Sequence, residues 1–287
     1  MTPPETSNDP RQWIGRSADA DDVVTAAPLA GLSATLDRDD LLPRPGDDVP
    51  PGGHWLYFLP HTPASELADD GHAKRGGFLP PVPLARRMWA GGRLQFQRPL
   101  TVGSPIRRVS EIIDVTEKEG ALGRLVFVVV RHTVTGSEGV AVIEDHDIVY
   151  RDAPRPGAPT PKGKPPPGKA VWRRTVVPDE AMLFRYSALI FNAHRIHYDH
   201  PYVTGVEGYP GLVVHGPLTA TLLMDLCRRQ RPDARLTRFD YRALRPLFAG
   251  NPLTVAGEPA ADGATAKLWA LDGDGLVAMT AEAAFGD

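Results

Sequence analysis

Apolar residues recur along this chain with two different periods. Residues 109–115, 124–134 and 139–151 are rich in β-branched side chains and are separated by glycine-containing turns, Glu119-Gly120 and Gly136-Ser137. They predict an antiparallel meander. Residues 170–177, 237–244, 253–259, 264–271 and 276–285 repeat the pattern more compactly, with Asp272-Gly273-Asp274-Gly275 as a hairpin turn. Between the first of these five segments and the rest, the period becomes helical. Residues 178–190 place Met182, Tyr186 and Leu189/Ile190 on one face behind Asp179 and Glu180, acids that suit a helix N-terminus. Residues 217–229 place Leu218, Leu222, Leu223 and Leu226 on one stripe that starts after Gly216 and ends in Arg228-Arg229. Strand, helix, long loop, apolar helix and antiparallel strands predict an α+β fold with a sheet wrapped around a central helix.

The two halves also share wording. Arg98-Pro99-Leu100-Thr101-Val102-Gly103-Ser104-Pro105-Ile106 and Arg245-Pro246-Leu247-Phe248-Ala249-Gly250-Asn251-Pro252-Leu253 agree at five of nine positions. Each copy follows alternating apolar residues, Leu94 and Phe96 in one and Phe239 and Tyr241 in the other. This reads as internal duplication. Residues 153–169 (APRPGAPTPKGKPPPGK) hold seven prolines in 17 positions without apolar period, as an extended connector does. The expected division is therefore a first half over 1–152, a linker over 153–169 and a second half over 170–287. Stretches 42–53 and 69–83 are loop-rich, and the first ten or so residues read as a frayed end.

Composition narrows the function classes. The 287 residues are 42% hydrophobic and 23% charged, which excludes disorder as the main state. The formal net charge of −3 offers no basic excess for nucleic acid or an anionic membrane. Cys227 stands alone, so no internal disulfide or thiolate metal cluster can form. The N-terminal residues lack the pattern of a signal peptide, and no apolar run approaches a spanning helix. A cytoplasmic protein with no membrane or nucleic-acid partner is expected.

Candidate chemistry concentrates between the two helices. His194, His197, His200 and His215, four of nine histidines, fall within 22 residues beside Asn192 and Asp199. The run Asn192-Ala193-His194-Arg195-Ile196-His197-Tyr198-Asp199, followed by His215-Gly216, resembles the hydratase motif of the MaoC-like hot-dog superfamily. WIGR at 13–16, KRGGFLPPVPLARRMWAGGR at 74–93 and YSALIFNAHRIHYDHPY at 186–202 are similar to its tandem hot-dog branch. That branch includes mesaconyl-C4-CoA (3-methylfumaryl-CoA) hydratases and type 2 hydroxyacyl-thioester dehydratases.

The resemblance implies reversible addition of water to a 2-enoyl-CoA, or dehydration of a 3-hydroxyacyl thioester in fatty-acid or polyketide metabolism, by a tandem hot-dog protein. It implies an acyl-CoA substrate, no metal or redox cofactor, and chemistry in the second half, while the first half walls the substrate tunnel. A homodimer is compatible with it. His197 matches the catalytic histidine and is the expected base. The Gly216 N–H, at a helix start, suits a developing oxyanion. Asn192 stands where the superfamily has aspartate, so it can orient but cannot exchange a proton. His194 is the expected assistant. Arg195 is expected to bind a carboxylate of the acyl group or to pair with Asp199. Tyr209, Gly211 and His215 are expected around the substrate, and Arg238, Arg242 and Arg245 near CoA phosphates. Two other classes fit less of the sequence. His197-Tyr198-Asp199-His200 partly matches a zinc-hydrolase motif, but its spacing to His194 is wrong; a non-catalytic thioester-binding module describes the first half alone.

Overall fold

Ten strands join edge to edge in a single antiparallel sheet. The structure, a computed structural model, describes residues 9–120, 123–152 and 163–286. Most of the expected frayed end, the tip after Gly120 and most of the proline-rich linker lie outside the described residues. In chain order the strands are β1 (Ser17–Val23), β2 (Arg86–Phe96), β3 (Pro105–Gly120), β4 (Gly123–Gly136), β5 (Gly139–Arg151), β6 (Trp172–Val176), β7 (Arg235–Ala243), β8 (Leu253–Pro259), β9 (Thr265–Leu271) and β10 (Val277–Gly286). Their spatial order is β1-β3-β4-β5-β2-β7-β10-β9-β8-β6. Read from either edge, the order is the same once β1, β2, β3, β4 and β5 are matched with β6, β7, β8, β9 and β10. The centre is the β2–β7 pair, where Arg93 lies opposite Asp240.

The duplicated wording has a duplicated structure. Gln97 and Arg98 N–H both donate to Ala141, as Leu244 and Arg245 donate to Ala278. Val49 N–H bonds Leu100 O as Val214 bonds Leu247 O, and Val102 bonds Asp47 O as Ala249 bonds Leu212 O. Gly103 and Gly250 take φ of +91° and +78°, which glycine adopts without Cβ strain, and each donates to the residue two before a helix, Val24 or Pro178. Those helices are α1 (Ala26–Thr35) and α2 (Glu180–Leu189). Each is followed by a residue with positive φ, Asp37 or Phe191. The first-half helix has no counterpart among the sequence expectations because Pro28, Gly31 and its run of small residues hide any helical stripe.

The halves diverge after that point. In the second half, residues 192–211 carry a short helix α3 (His200–Gly205) and lead to α4 (Gly216–Gln230). In the first half, nine residues bridge the same anchor points, and a 3-10 turn, Gly53–Leu56, stands where α4 would start. Helix α4 is buried on every side from Leu218 to Cys227, more fully than its leucine stripe suggests. One large core gathers around it, and a smaller one in the first half packs Ile112, Val126, Val128 and Tyr150 under Val82 and Leu84. No helix among the described residues is long and apolar enough to cross a membrane.

Asp225 on α4 is 2% exposed and ties the halves together. Its oxygens accept from Arg38 at 2.6 Å, Arg229 at 2.7 Å and Arg174 at 3.1 Å. Asp225→Ala leaves three guanidiniums without their shared anion and is expected to lower the free energy of unfolding by about 3–5 kcal/mol. Urea denaturation of the variant measures the loss.

Candidate active site

The histidine loop is held by its own short-range bonds. Asp179 caps α2 through the Met182 N–H, and the chain turns at Phe191. Asn192 Oδ1 then accepts the His194 N–H at 2.9 Å. Residues Arg195–His197 form a 3-10 turn, and Asp199 caps α3 by accepting the Tyr202 N–H. Val213 N–H bonds Ile196 O and brings the segment before α4 back against the turn.

This places three histidine rings face to edge or face to face. His197 is 7% exposed, and its Nδ1 lies 2.7 Å from Val213 O. A carbonyl can only accept, so Nδ1 carries the hydrogen and Nε2 presents a lone pair. His215, fully buried at the N-cap of α4, stacks on His197 at 3.6 Å and meets Ser187 Oγ through Nε2 at 2.8 Å. Its Nδ1 is buried with no partner among the described residues. His194 stands edge-on to His197 at 5.4 Å. Gly216 is the first residue of α4, so its N–H has no intrahelical acceptor.

Burial dominates the electrostatics. It pushes His197 down to about 3, against the Val213 carbonyl, which favours the protonated ring. It holds His194 at about 3 as well and drives His215 well below the ordinary range. All three are therefore neutral bases or donors at ordinary pH.

A loop from the first half completes the cluster. Arg195 N–H bonds Asp70 O at 2.9 Å, and a Cβ on Gly71 would run into the Ala193 carbonyl. That close fit brings the His72 ring to 4.0 Å from His194. His72 Nδ1 lies 2.9 Å from Asp70 Oδ2. Burial pushes the Asp70 carboxyl up, but the His72 hydrogen bond and charge outweigh it and leave the group ionised far below the usual range. Ligand atoms of Asp70, His72 and His194 lie within 4.8 Å of one another, the one set of metal-capable side chains found among the described residues. Asp70 and His72 fell within the loop-rich stretch 69–83 and carried no sequence signal; only the fold shows that a strand register more than 100 residues away delivers them to the loop.

Other sequence candidates fall differently. Arg195 turns to Asp199, with Nε at 2.9 Å and Nη2 at 2.7 Å, gives Nη1 to Asp69 O and lies over the Tyr202 ring. Of the two roles expected of it, the pairing with Asp199 is the one this geometry shows. Arg238 and Arg242 alternate with buried Phe239 and Tyr241 and project from the opposite face of the sheet. Arg238 pairs with Asp240, and Arg245 with Asp272 at 2.8 Å. Among the described residues, no hydrogen bond or ion pair joins these three arginines to the histidine loop. The partial zinc motif disperses too, because Asp199 is spent on its cap and Arg195 while His200 is exposed. Tyr209 stacks under Arg86 at 4.8 Å, and Gly211 adds no contact within 4 Å of its Cβ position.

Comparison with known proteins places this geometry. Residues 52–249 match the family of hydroxyacyl-thioester dehydratase type 2. The chain belongs to that family. It is 46% identical to mesaconyl-C(4)-CoA hydratase of Chloroflexus aurantiacus over 98% of this chain and 99% of the relative. A MaoC-like dehydratase from Phytophthora capsici superposes with a TM-score of 0.69 at 13% identity, covering 96% of this chain and 97% of that one. A conserved Mycobacterium tuberculosis protein with a double hotdog fold superposes with a TM-score of 0.60 at 14% identity, covering 95% and 96%. The fold is thus the tandem hot-dog, and the family is one of hydro-lyases.

Neutral burial of these histidines links stability to pH. Unfolded histidines titrate near ~6.5, so between that value and about 3 the unfolded chain binds more protons than the folded one. Stability is full above ~6.5 and falls as pH drops through this window. His132, also held at about 3 by burial, adds to the slope. The urea midpoint is expected to be lower at pH 5 than at pH 7.5; an equal or higher midpoint at pH 5 contradicts neutral burial.

Proposed function

We propose that this chain adds water to a dicarboxylic 2-enoyl-CoA of the mesaconyl-C4-CoA type. The observation that carries the reading is the His197 ring, fixed through Nδ1 to Val213 with Nε2 unspent, inside a chain similar to a mesaconyl-C(4)-CoA hydratase from end to end. Nε2 takes a proton from water as its oxygen bonds to the β-carbon. The C=C electrons move toward the thioester oxygen, and the Gly216 N–H and His215 Nδ1 supply donors for that oxyanion if Ser187 gives its hydrogen to His215 Nε2. The α-carbon then takes back a proton, from His197 itself or through His194, which closes the balance with no redox change. Asn192 positions: its Oδ1 holds the loop, and its Nδ2 remains to orient water.

The acyl end supports a second carboxylate. Arg87 on β2 is half-buried, acts on both His194 and His146 as a nearby positive charge, and faces the Tyr150 hydroxyl. It has no carboxylate partner within 4 Å among the described residues. A guanidinium so placed matches an acyl carboxylate bidentately. The lone buried Cys227 suits the reducing cytoplasm. Dehydration of a 3-hydroxyacyl thioester is the second reading, favoured by the family match over residues 52–249.

Loss of enoyl-thioester absorbance across mesaconyl-C4-CoA, crotonyl-CoA and a long-chain enoyl-CoA tests the choice. Preference for the long chain favours the second reading, and no turnover with any of them overturns both. His197→Ala is expected to lower kcat by about 10²–10⁴ while acyl-CoA binding persists. Near-normal turnover removes His197 from the mechanism. Arg87→Met is expected to raise KM for mesaconyl-C4-CoA at least about tenfold more than for crotonyl-CoA, the effect of one lost charge-assisted bond. Equal effects on both substrates sink the carboxylate assignment.

A further inference from the structure

The pseudo-twofold relation between the halves predicts a second position equivalent to the histidine site. The matched hydrogen bonds of Val49 and Val214 make Pro50 the counterpart of His215, and the matched turns at Asp37 and Phe191 make Arg38 the counterpart of Asn192. At that position the structure has a cavity of about 460 Å³, bordered by Arg38 and Pro50. The chemistry is gone: the nine-residue bridge 38–46 contains no histidine, and a proline replaces the stacked ring. The cavity remains because only a 3-10 turn stands in for the second-half helix.

Its charge is unusual for an abandoned site. Five arginines and two aspartates border it. Arg38 and Arg228 are partnered by Asp225 and Asp40. Arg98, Arg231 and Arg235 have no carboxylate within 4 Å among the described residues. Backbone carbonyls aim two of them, Gly263 O accepting from Arg231 and Gln97 O from Arg235, without neutralising either. The contrast with the other half is direct, since Arg245, the counterpart of Arg98, is spent on Asp272. Phe96 and Phe285 supply apolar walls, and the volume lies within the roughly 300–1,000 Å³ of small-molecule sites. Three guanidiniums without a carboxylate within 4 Å, set against the bordering Asp48 and Asp233, leave an excess of positive charge beside aromatic rings, which suits a phosphorylated planar ligand better than a carboxylate or a neutral chain.

We propose that this cavity binds an adenine nucleotide polyphosphate, as the phosphorylated end of a second CoA or as a free nucleotide, and performs no chemistry on it. Isothermal titration of the full chain with CoA, 3′-dephospho-CoA, ADP and inorganic pyrophosphate tests this, in wild type and in Arg98→Gln/Arg231→Gln/Arg235→Gln. Two CoA per chain are expected in wild type and one in the triple variant, with kcat/KM at low substrate unchanged. The single variants Arg98→Gln and Arg235→Gln, on exposed side chains, guard against a folding defect and are each expected to weaken the second event about tenfold. Loss of affinity without the 3′-phosphate assigns the site to CoA; equal affinity for ADP assigns it to free nucleotides. The ADP arm does not depend on the hydratase reading, so a chain inactive on every enoyl-CoA still tests the cavity. One CoA per chain with no ADP binding, binding of pyrophosphate alone, or stoichiometry unchanged in the triple variant overturns the proposal.

Discussion

The pairing of β2 with β7 is the contact on which the rest depends. It runs from Gly91 opposite Arg242 to Gln95 opposite Arg238, and its closeness requires glycine. A Cβ on Gly91 would meet the Tyr241 carbonyl, and one on Gly92 the Tyr241 ring. Through this seam two sheets become one. The strand that forms it also leads directly from the loop carrying Asp70 and His72, so the same register delivers first-half side chains to second-half chemistry. Arg86 at the start of that strand fastens the arrangement by gripping Glu207 and stacking on Tyr209. The first half is thus more than a wall: it contributes a carboxylate–imidazole pair to the histidine cluster.

With the scaffold matched hydrogen bond for hydrogen bond, the halves differ by loop length and one helix. Loop closure grows slowly in cost with length, so eleven further residues between fixed anchors are tolerated easily, and they carry the histidines. Loss of a buried helix is harder to absorb. Beside the 3-10 turn that replaces it, Trp55, Trp89 and Tyr241 pack edge to face, at 5.2, 5.8 and 6.4 Å. Glu144 is buried among them and remains ionised, since bonds from His54 and Trp55 satisfy it and His54 holds it down at about 2 against burial.

How much was legible follows from the range of each signal. Helix α4, the five second-half strands and the paired Arg-Pro-Leu turns have local periods or identities, and all appear in the structure near their expected bounds. His197 and its loop announced themselves by density of one residue type. Asp70, His72 and Arg87 did not, since an acid, a histidine or an arginine in a polar stretch looks like solvated surface until a register places it. Arg195 had two readings open: its partner Asp199, four residues on, was visible, but only geometry shows that Nε and Nη2 both turn to it while Asp69 takes Nη1. For the arginines of β7, alternation along the strand says which residues share a face, not which face borders the site.

A histidine held at about 3 is a weak base at rest, and that weakness is compatible with catalysis. An ordinary imidazole near ~6.5 is half protonated at that pH and idle as a base for half the population. Burial keeps the His197 lone pair available throughout the ordinary range. In the proposed mechanism the imidazolium it disfavours forms only as negative charge appears on the thioester, and in a low-dielectric site the two charges stabilise each other far more than they would in water. The Val213 carbonyl adds to this selectively, because its bond to Nδ1–H strengthens as the ring gains charge. That proposal needs His215, stacked 3.6 Å away, to stay neutral, and its own complete burial favours the neutral ring.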